Sequence, residues 1–319
     1  MYHRVAVPEA DIWDIAVSPA NFEQQLQVLQ QSGHVIPLED LAKGVKNNSL
    51  KRNSISITFD DGYIDNYQVA KPLLEKYGLP ATFFITSGNV GQAKEFWWDE
   101  LEHLILFTED LPAAISVEIA GTYIEYDLSE EAHLNKELRE KHVYWKACED
   151  APPTLRGEIF YKLWELIKPL TPAAQQEQLV KLRTWAKATG AARQDYISVS
   201  EDQLLELSQQ QLFTVGAHTK SHVALAFHPE QTQEQELLEN RKFLAEVIGQ
   251  EVSLLAYPYG NYNEDTVAIA DMVNFAAAFT TEEKPVTKRS HLHRLGRFQV
   301  KNLSGKEFRQ QLQAWKNSL

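Results

Sequence analysis

The chain has 319 residues, 44% hydrophobic and 24% charged, with a net charge of −13 at pH 7. That balance describes a folded globular protein, and its sign argues against nucleic acid or an anionic membrane surface as partner, since both are polyanions. A single cysteine, Cys148, excludes an internal disulfide, and no apolar run approaches the length of a membrane-spanning helix. Met1-Tyr2-His3-Arg4 leads straight into fold-like sequence with no leader pattern, so a cytoplasmic location is the expectation. No feature sets an oligomeric state.

The elements alternate along the chain. Ser18-Pro19 starts a helix that spaces Phe22, Leu26 and Leu29 along one face and ends at Gly33. In residues 54–59, Ile55, Ile57 and Phe59 alternate with Ser54, Ser56 and Thr58, the pattern of a half-buried strand. Gly62 breaks the run and leaves Asp60 and Asp61 at the strand's C-terminal end, where α/β barrels gather catalytic groups. Adjacent strand residues point to opposite sides, so one carboxylate would suit a metal and the other a proton. On the dipeptide alone, an acidic turn explains it as well. A short helix follows from Pro72 to Gly78, then a second strand over 79–86.

Residues 92–197 read as charged, helical sequence, notably over 130–146 and 155–170, interrupted by Pro152-Pro153 and Pro169. The adjacent Trp97 and Trp98 cannot share one helix face, so one of them is expected to look toward a cleft, although tryptophans at helical spacing are more often core. After the apolar run 212–215 come His218 and His222, which converge if the segment is helical or turns tightly. Two imidazoles and one carboxylate suit zinc and its neighbours and leave positions open for water and substrate. With the Asp60-Asp61 pair they make a coherent hydrolytic constellation. Thr232-x-x-Gln235 would open a helix running to Gly249, and strands are expected at 252–257, 275–279 and 295–300. Ser304-x-x-Glu307 opens a last helix that turns Phe308, Leu312 and Trp315 inward.

Thr58-Phe-Asp-Asp-Gly62, His218-Thr-Lys-Ser-His222, Ala256-Tyr-Pro-Tyr-Gly260 and the strand Leu79–Thr86 resemble, in order, the motifs of the polysaccharide deacetylase family, the NodB-homology group or carbohydrate esterase family 4. The resemblance covers roughly 1–91 and 198–319. It implies an α/β fold, a distorted (β/α) barrel, here one catalytic domain over 1–319 with a helical insertion at about 92–197. It also implies a divalent metal, most simply Zn²⁺, on Asp61, His218 and His222, with Asp60 as the general base that activates water. Tyr259 would offer a backbone N–H to the oxyanion, with Pro258 and Trp98 as further substrate contacts.

Two departures matter. Ala256 stands where many members carry an arginine that orients the base, and the late Leu-x-His motif that supplies a general acid is not clear in 290–300. This pattern resembles the branch that includes the poly-N-acetylglucosamine deacetylases, where a histidine of an N-terminal Tyr-His-x-Val strand is the acid. That implies His3 as the acid, with His293 in reserve, and Arg297 as the charge that holds Asp60 by a bidentate pair or else as an ordinary surface ion pair. The implied substrate is an N-acetylated carbohydrate. An O-acetyl ester, a non-sugar amide, or a non-catalytic carbohydrate-binding role are the alternatives.

Overall fold

The computed structural model describes residues 1–317, and the chain falls into two compact units. The first unit comprises Met1–Val7, Ile15–Gln92 and the chain from Ser198 onward. The second comprises Pro8–Asp14 and Ala93–Ile197. The described strands are β1 Ile57–Phe59, β2 Ala81–Ile85, β3 Ala114–Ile119, β4 Thr122–Asp127, β5 Phe213–Ala217, β6 Leu254–Ala256 and β7 Ala277–Phe279.

The first unit is built on a parallel sheet in the order β1-β2-β5-β6-β7. All three residues of β1 and all five of β2 are buried, because helices and loops cover both faces of a parallel sheet. The half-buried alternation expected over 54–59 therefore gives way to a shorter strand with no solvated face. Aromatic rings tie the first strands together: Phe59 stacks on Phe83 at 5.0 Å, and Phe213 meets Phe83 edge-on at 5.5 Å. Gly216 is required on β5, since a Cβ there would lie 2.4 Å from the Phe84 ring.

The two outer strands are linked by irregular chain. Tyr2 N–H donates to Thr58 O and Asp60 N–H to Tyr2 O, while Val300 N–H donates to Met1 O. Leu295 bridges Phe279 beyond β7. These bonds curl the sheet into a distorted barrel, the architecture expected. No strand forms at 295–300; only the Leu295 bridge pairs as a ladder, and Arg297 N–H turns away to Glu282 O.

Helix termini obey local chemistry. Ser18 caps Pro19–Ser32, and Gly33 ends it in the left-handed conformation at φ 64°. Gly78 ends Lys71–Tyr77 in the same way. The helix Glu230–Ile248 starts two residues before Thr232, behind Pro229, so the expected capping box is not its start. In the last helix, Gly305–Asn317, Ser304 and Glu307 do exchange bonds.

The second unit carries the helices Trp97–Glu102, Lys136–Tyr144, Leu155–Ile167 and Pro172–Ala186. It also contains an unexpected antiparallel hairpin, β3–β4, turned by Ala120 and Gly121 at φ 51° and 77°. Trp97 and Trp98 are both buried, and Trp98 stacks on Phe96 at 4.5 Å. That packing gives Trp98 the duties of a core side chain. Among the described residues no helix is long and apolar enough to cross a membrane.

Candidate metal and catalytic site

The site hangs from the C-terminal ends of the first unit's strands. Asp60 and Asp61 follow β1, and the turn needs φ 73° at Asp61 and 85° at Gly62. A side chain at position 62 would strike Ile85 at 2.9 Å, so glycine serves both the backbone and the packing there. His218 follows β5. Thr219 and His222 adopt φ 61° and 56°, and Thr219 Oγ1 accepts the His222 N–H at 2.9 Å. The histidines thus converge through a tight turn, not a helix. Left-handed residues that are not glycine cost energy, and four of them (Asp61, Thr219, His222 and Tyr259) gather here.

His218 Nδ1 donates to Ala256 O at 2.8 Å, which aims Nε2 at Asp61 Oδ1, 3.3 Å away. His222 Nε2 lies 3.1 Å from the same oxygen. One ligand atom from each of the three buried residues falls within 4.8 Å of the others. Two oriented imidazoles and a carboxylate in this spacing fit a divalent transition ion. Burial raises the Asp61 carboxyl, but the two imidazoles beside it prevail and hold it well below its ordinary range. Burial holds His222 below its usual value despite Asp61, favouring the neutral ring that a metal needs.

Arg297 meets Asp60 through two parallel bonds of 2.7 Å, Nη1 to Oδ1 and Nη2 to Oδ2. Its Nε donates to Thr280 O at 3.0 Å and its Nη1 also reaches Thr58 Oγ1 at 3.3 Å, so the guanidinium plane is fixed. Burial works to raise the Asp60 carboxyl, yet Arg297 with His218 outweighs it and the group stays below its ordinary value. Ala256 is fully buried on β6.

His3 lies near enough to Asp60 and Asp61 for their charges to oppose the downward push of burial on its imidazole. Its Nδ1 is buried with no hydrogen-bond partner among the described residues. The backbone around it is clamped: Asn66 Nδ2 donates to His3 O at 2.8 Å, and Asp65 accepts from Val5 N–H at 2.8 Å and from Arg4 Nε at 3.0 Å. His293 is elsewhere. Its Nε2 donates to Phe275 O at 2.7 Å, before the start of β7 and away from the strand ends that carry Asp60 and His218. Pro258 and Tyr259 follow β6, and the Tyr259 ring meets His222 edge-on at 4.5 Å.

Sequence reasoning missed the residues that hold these groups. Asn240 accepts from His218 N–H at 3.1 Å and donates to Ile85 O at 3.0 Å. Thr86 Oγ1 donates to His218 O at 3.1 Å. Asn240 had a signal, a polar residue in the buried row Leu237, Asn240, Leu244 of its helix. Thr86 had none.

The family model for polysaccharide deacetylase matches residues 47–105 and 181–278, which include Asp60, Asp61, His218, His222 and Tyr259 but neither His3 nor Arg297. YxkH of Bacillus subtilis (strain 168), a curated protein named for the same family, is 20% identical over 311 residues, 97% of this chain and 73% of that one. A poly-beta-1,6-N-acetyl-D-glucosamine N-deacetylase of Staphylococcus aureus (strain MSSA476) is 34% identical over 83 residues, only 26% of this chain and 29% of that protein. Among solved structures, Streptococcus pyogenes deacetylase PplD in complex with acetate superposes with a TM-score of 0.58 at 20% identity, covering 98% of this chain and 95% of that one. With the strand-end motifs in place on a curled parallel sheet, the chain belongs to the polysaccharide deacetylase family.

Proposed function

We propose that this protein is a metal-dependent N-deacetylase, hydrolysing the N-acetyl group of an amino sugar in a poly- or oligosaccharide or glycoconjugate to give acetate and a free amine. The observation that carries the reading is the buried Arg297–Asp60 pair beside the Asp61, His218 and His222 donor set. The partial match to an N-acetylglucosamine N-deacetylase supports the choice of substrate.

Asp61, His218 and His222 would hold the ion, most simply Zn²⁺. When bound, such an ion supplies Lewis acidity, polarising the acetyl carbonyl and lowering the pKa of a water. Asp60 accepts the proton of the attacking water, and Arg297 keeps it ionised and oriented for that duty. This answers the missing arginine at position 256. His3 delivers a proton to the departing nitrogen, because an amide anion is a very poor leaving group. Tyr259 and Pro258 line the substrate side, with the Tyr259 N–H offered to the oxyanion.

Acetate release from defined N-acetylglucosamine oligomers, run beside O-acetylated sugars, tests this. Turnover of the N-acetyl substrates that a chelator abolishes is expected. Turnover of esters alone would make it an O-acetyl esterase, and bound metal without any turnover would make it a non-catalytic relative.

A further inference from the structure

A cavity of about 500 Å³ opens in the first unit between the entry to β1, the segment 284–300 and the last helix. Asp60, Asp61, His218 and His222 are not among its lining residues. Leu41, Ile55, Phe298, Leu312 and Trp315 make its walls predominantly apolar. Its charged lining has one sign: Lys51, Arg52, Lys284, Lys288, Lys316 and, deeper, Arg297. Among the described residues no carboxylate lines it, on a chain where 44 acidic residues outnumber 31 basic ones. Lys284 is paired with Glu282 and Arg297 with Asp60. The exposed Lys51, Arg52 and Lys288 side chains have no ion-pair partner among the described residues.

The size is that of a small-molecule site. A sugar would leave its hydroxyls against unpaired apolar walls, and a small anion would not fill the space. A neutral hydrocarbon would draw nothing from the cations. Only a ligand with a long apolar tail and an anionic head uses both features.

We propose that this cavity binds a single-chain anionic amphiphile, such as a long-chain carboxylate, with its tail among the apolar walls and its head among Lys51, Arg52 and Lys288. The cavity shares Arg297 with the proposed catalytic centre but none of Asp60, Asp61, His218 and His222, and the proposal stands whether or not that reading holds. Thr58 and Arg297 also line the cavity, so an occupant reaches the guanidinium that holds Asp60 and the hydroxyl that helps fix it.

Calorimetric titration of the full chain with octanoate, decanoate, dodecanoate and decanol, each below its aggregation threshold, tests the proposal. Affinity should rise roughly three- to fourfold per added methylene until the cavity is full. Decanol should bind at least tenfold more weakly than decanoate. The triple variant Lys51→Glu/Arg52→Glu/Lys288→Glu, all at exposed positions, should lose at least tenfold for dodecanoate, and Val286→Trp should block binding by filling the cavity. Absence of binding, equal affinity for decanol and decanoate, or an unchanged triple variant would overturn it. Self-association of the chain that dodecanoate does not disperse would show a second copy to be the occupant instead.

Discussion

Asp60 and Arg297 face each other with only 2% and 6% of their side chains exposed. Removing one partner from such a pair strands a buried charge, which costs about 3–5 kcal/mol, whereas removing both charges together costs far less. Arg297→Met should therefore lower unfolding stability by about that amount, and adding Asp60→Asn should recover much of it. Asp60→Asn alone should keep metal affinity while turnover falls by about 10²–10⁴-fold, because the amide keeps the shape but accepts no proton. Urea titrations and metal analysis of the three variants check both statements; additive losses in the double variant would mean that the pair is not coupled. His3 calls for a substrate comparison. His3→Ala should lose most amide hydrolysis but spare an activated ester, whose leaving group needs little protonation, while His293→Ala should change neither. Equal losses on amide and ester in the His3 variant would assign it to positioning. The proposed donors and base could be singled out because adjacent carboxylates before a glycine and a His-x-x-x-His spacing are local patterns. The orienting partners were not, because Ala256 O, Asn240 and Thr86 reach His218 from three separate elements.

Elements with a local cause could be read, and those with a tertiary cause could not. Ser18, Gly33 and Gly78 act through their immediate neighbours, and their helices end where expected. Leu295–Val300 has strand-like residues but is held by bonds to Glu282, Ala278 and Met1, so no regular ladder forms. The β3–β4 hairpin carried a usable signal in the alternation of Ile115, Val117 and Ile119 before Ala120-Gly121, overshadowed by charged helical sequence around it. A polar relay in the second unit gives a pH prediction. Gly157 N–H donates to Thr154 Oγ1, the cap of Leu155–Ile167, at 2.9 Å, and Thr154 lies 2.9 Å from His142 Nε2. His142 Nδ1 in turn donates to Leu106 O at 2.9 Å, so Nε2 of the neutral ring is left to accept from the threonine. Burial pushes the His142 pKa down to about 4 from 6.5. The unfolded chain therefore takes up this proton first as pH falls. The contribution is complete above pH 6.5 and is lost as pH falls from there to about 4, amounting to at most roughly 3 kcal/mol. His142→Gln should flatten the urea-midpoint profile across that window relative to the parent, and parallel profiles would contradict this role.

At the scale of the whole molecule, the distorted barrel follows from a parallel sheet whose outer strands are joined through Met1, Tyr2 and the segment 295–300. That closure was not readable, since isolated bridges leave no periodicity in sequence. The break near residue 92 and the return near 197 were marked by a change of composition, but the assignment of Pro8–Asp14 to the second unit was not. Seven residues with backbone bonds such as Ala147 N–H to Ile12 O are too short a segment to declare a partner.

The central claim is that one metal site, built from Asp61, His218 and His222, runs the chemistry. It is tested most directly by measuring bound metal and acetate release from N-acetylglucosamine oligomers on the same preparations of the parent and of His222→Ala. The account predicts about one divalent ion per chain and steady turnover in the parent, with both lost in the variant while circular dichroism is unchanged. A variant that kept its ion and its full rate, or a chelated parent that still turned over at the full rate, would contradict it.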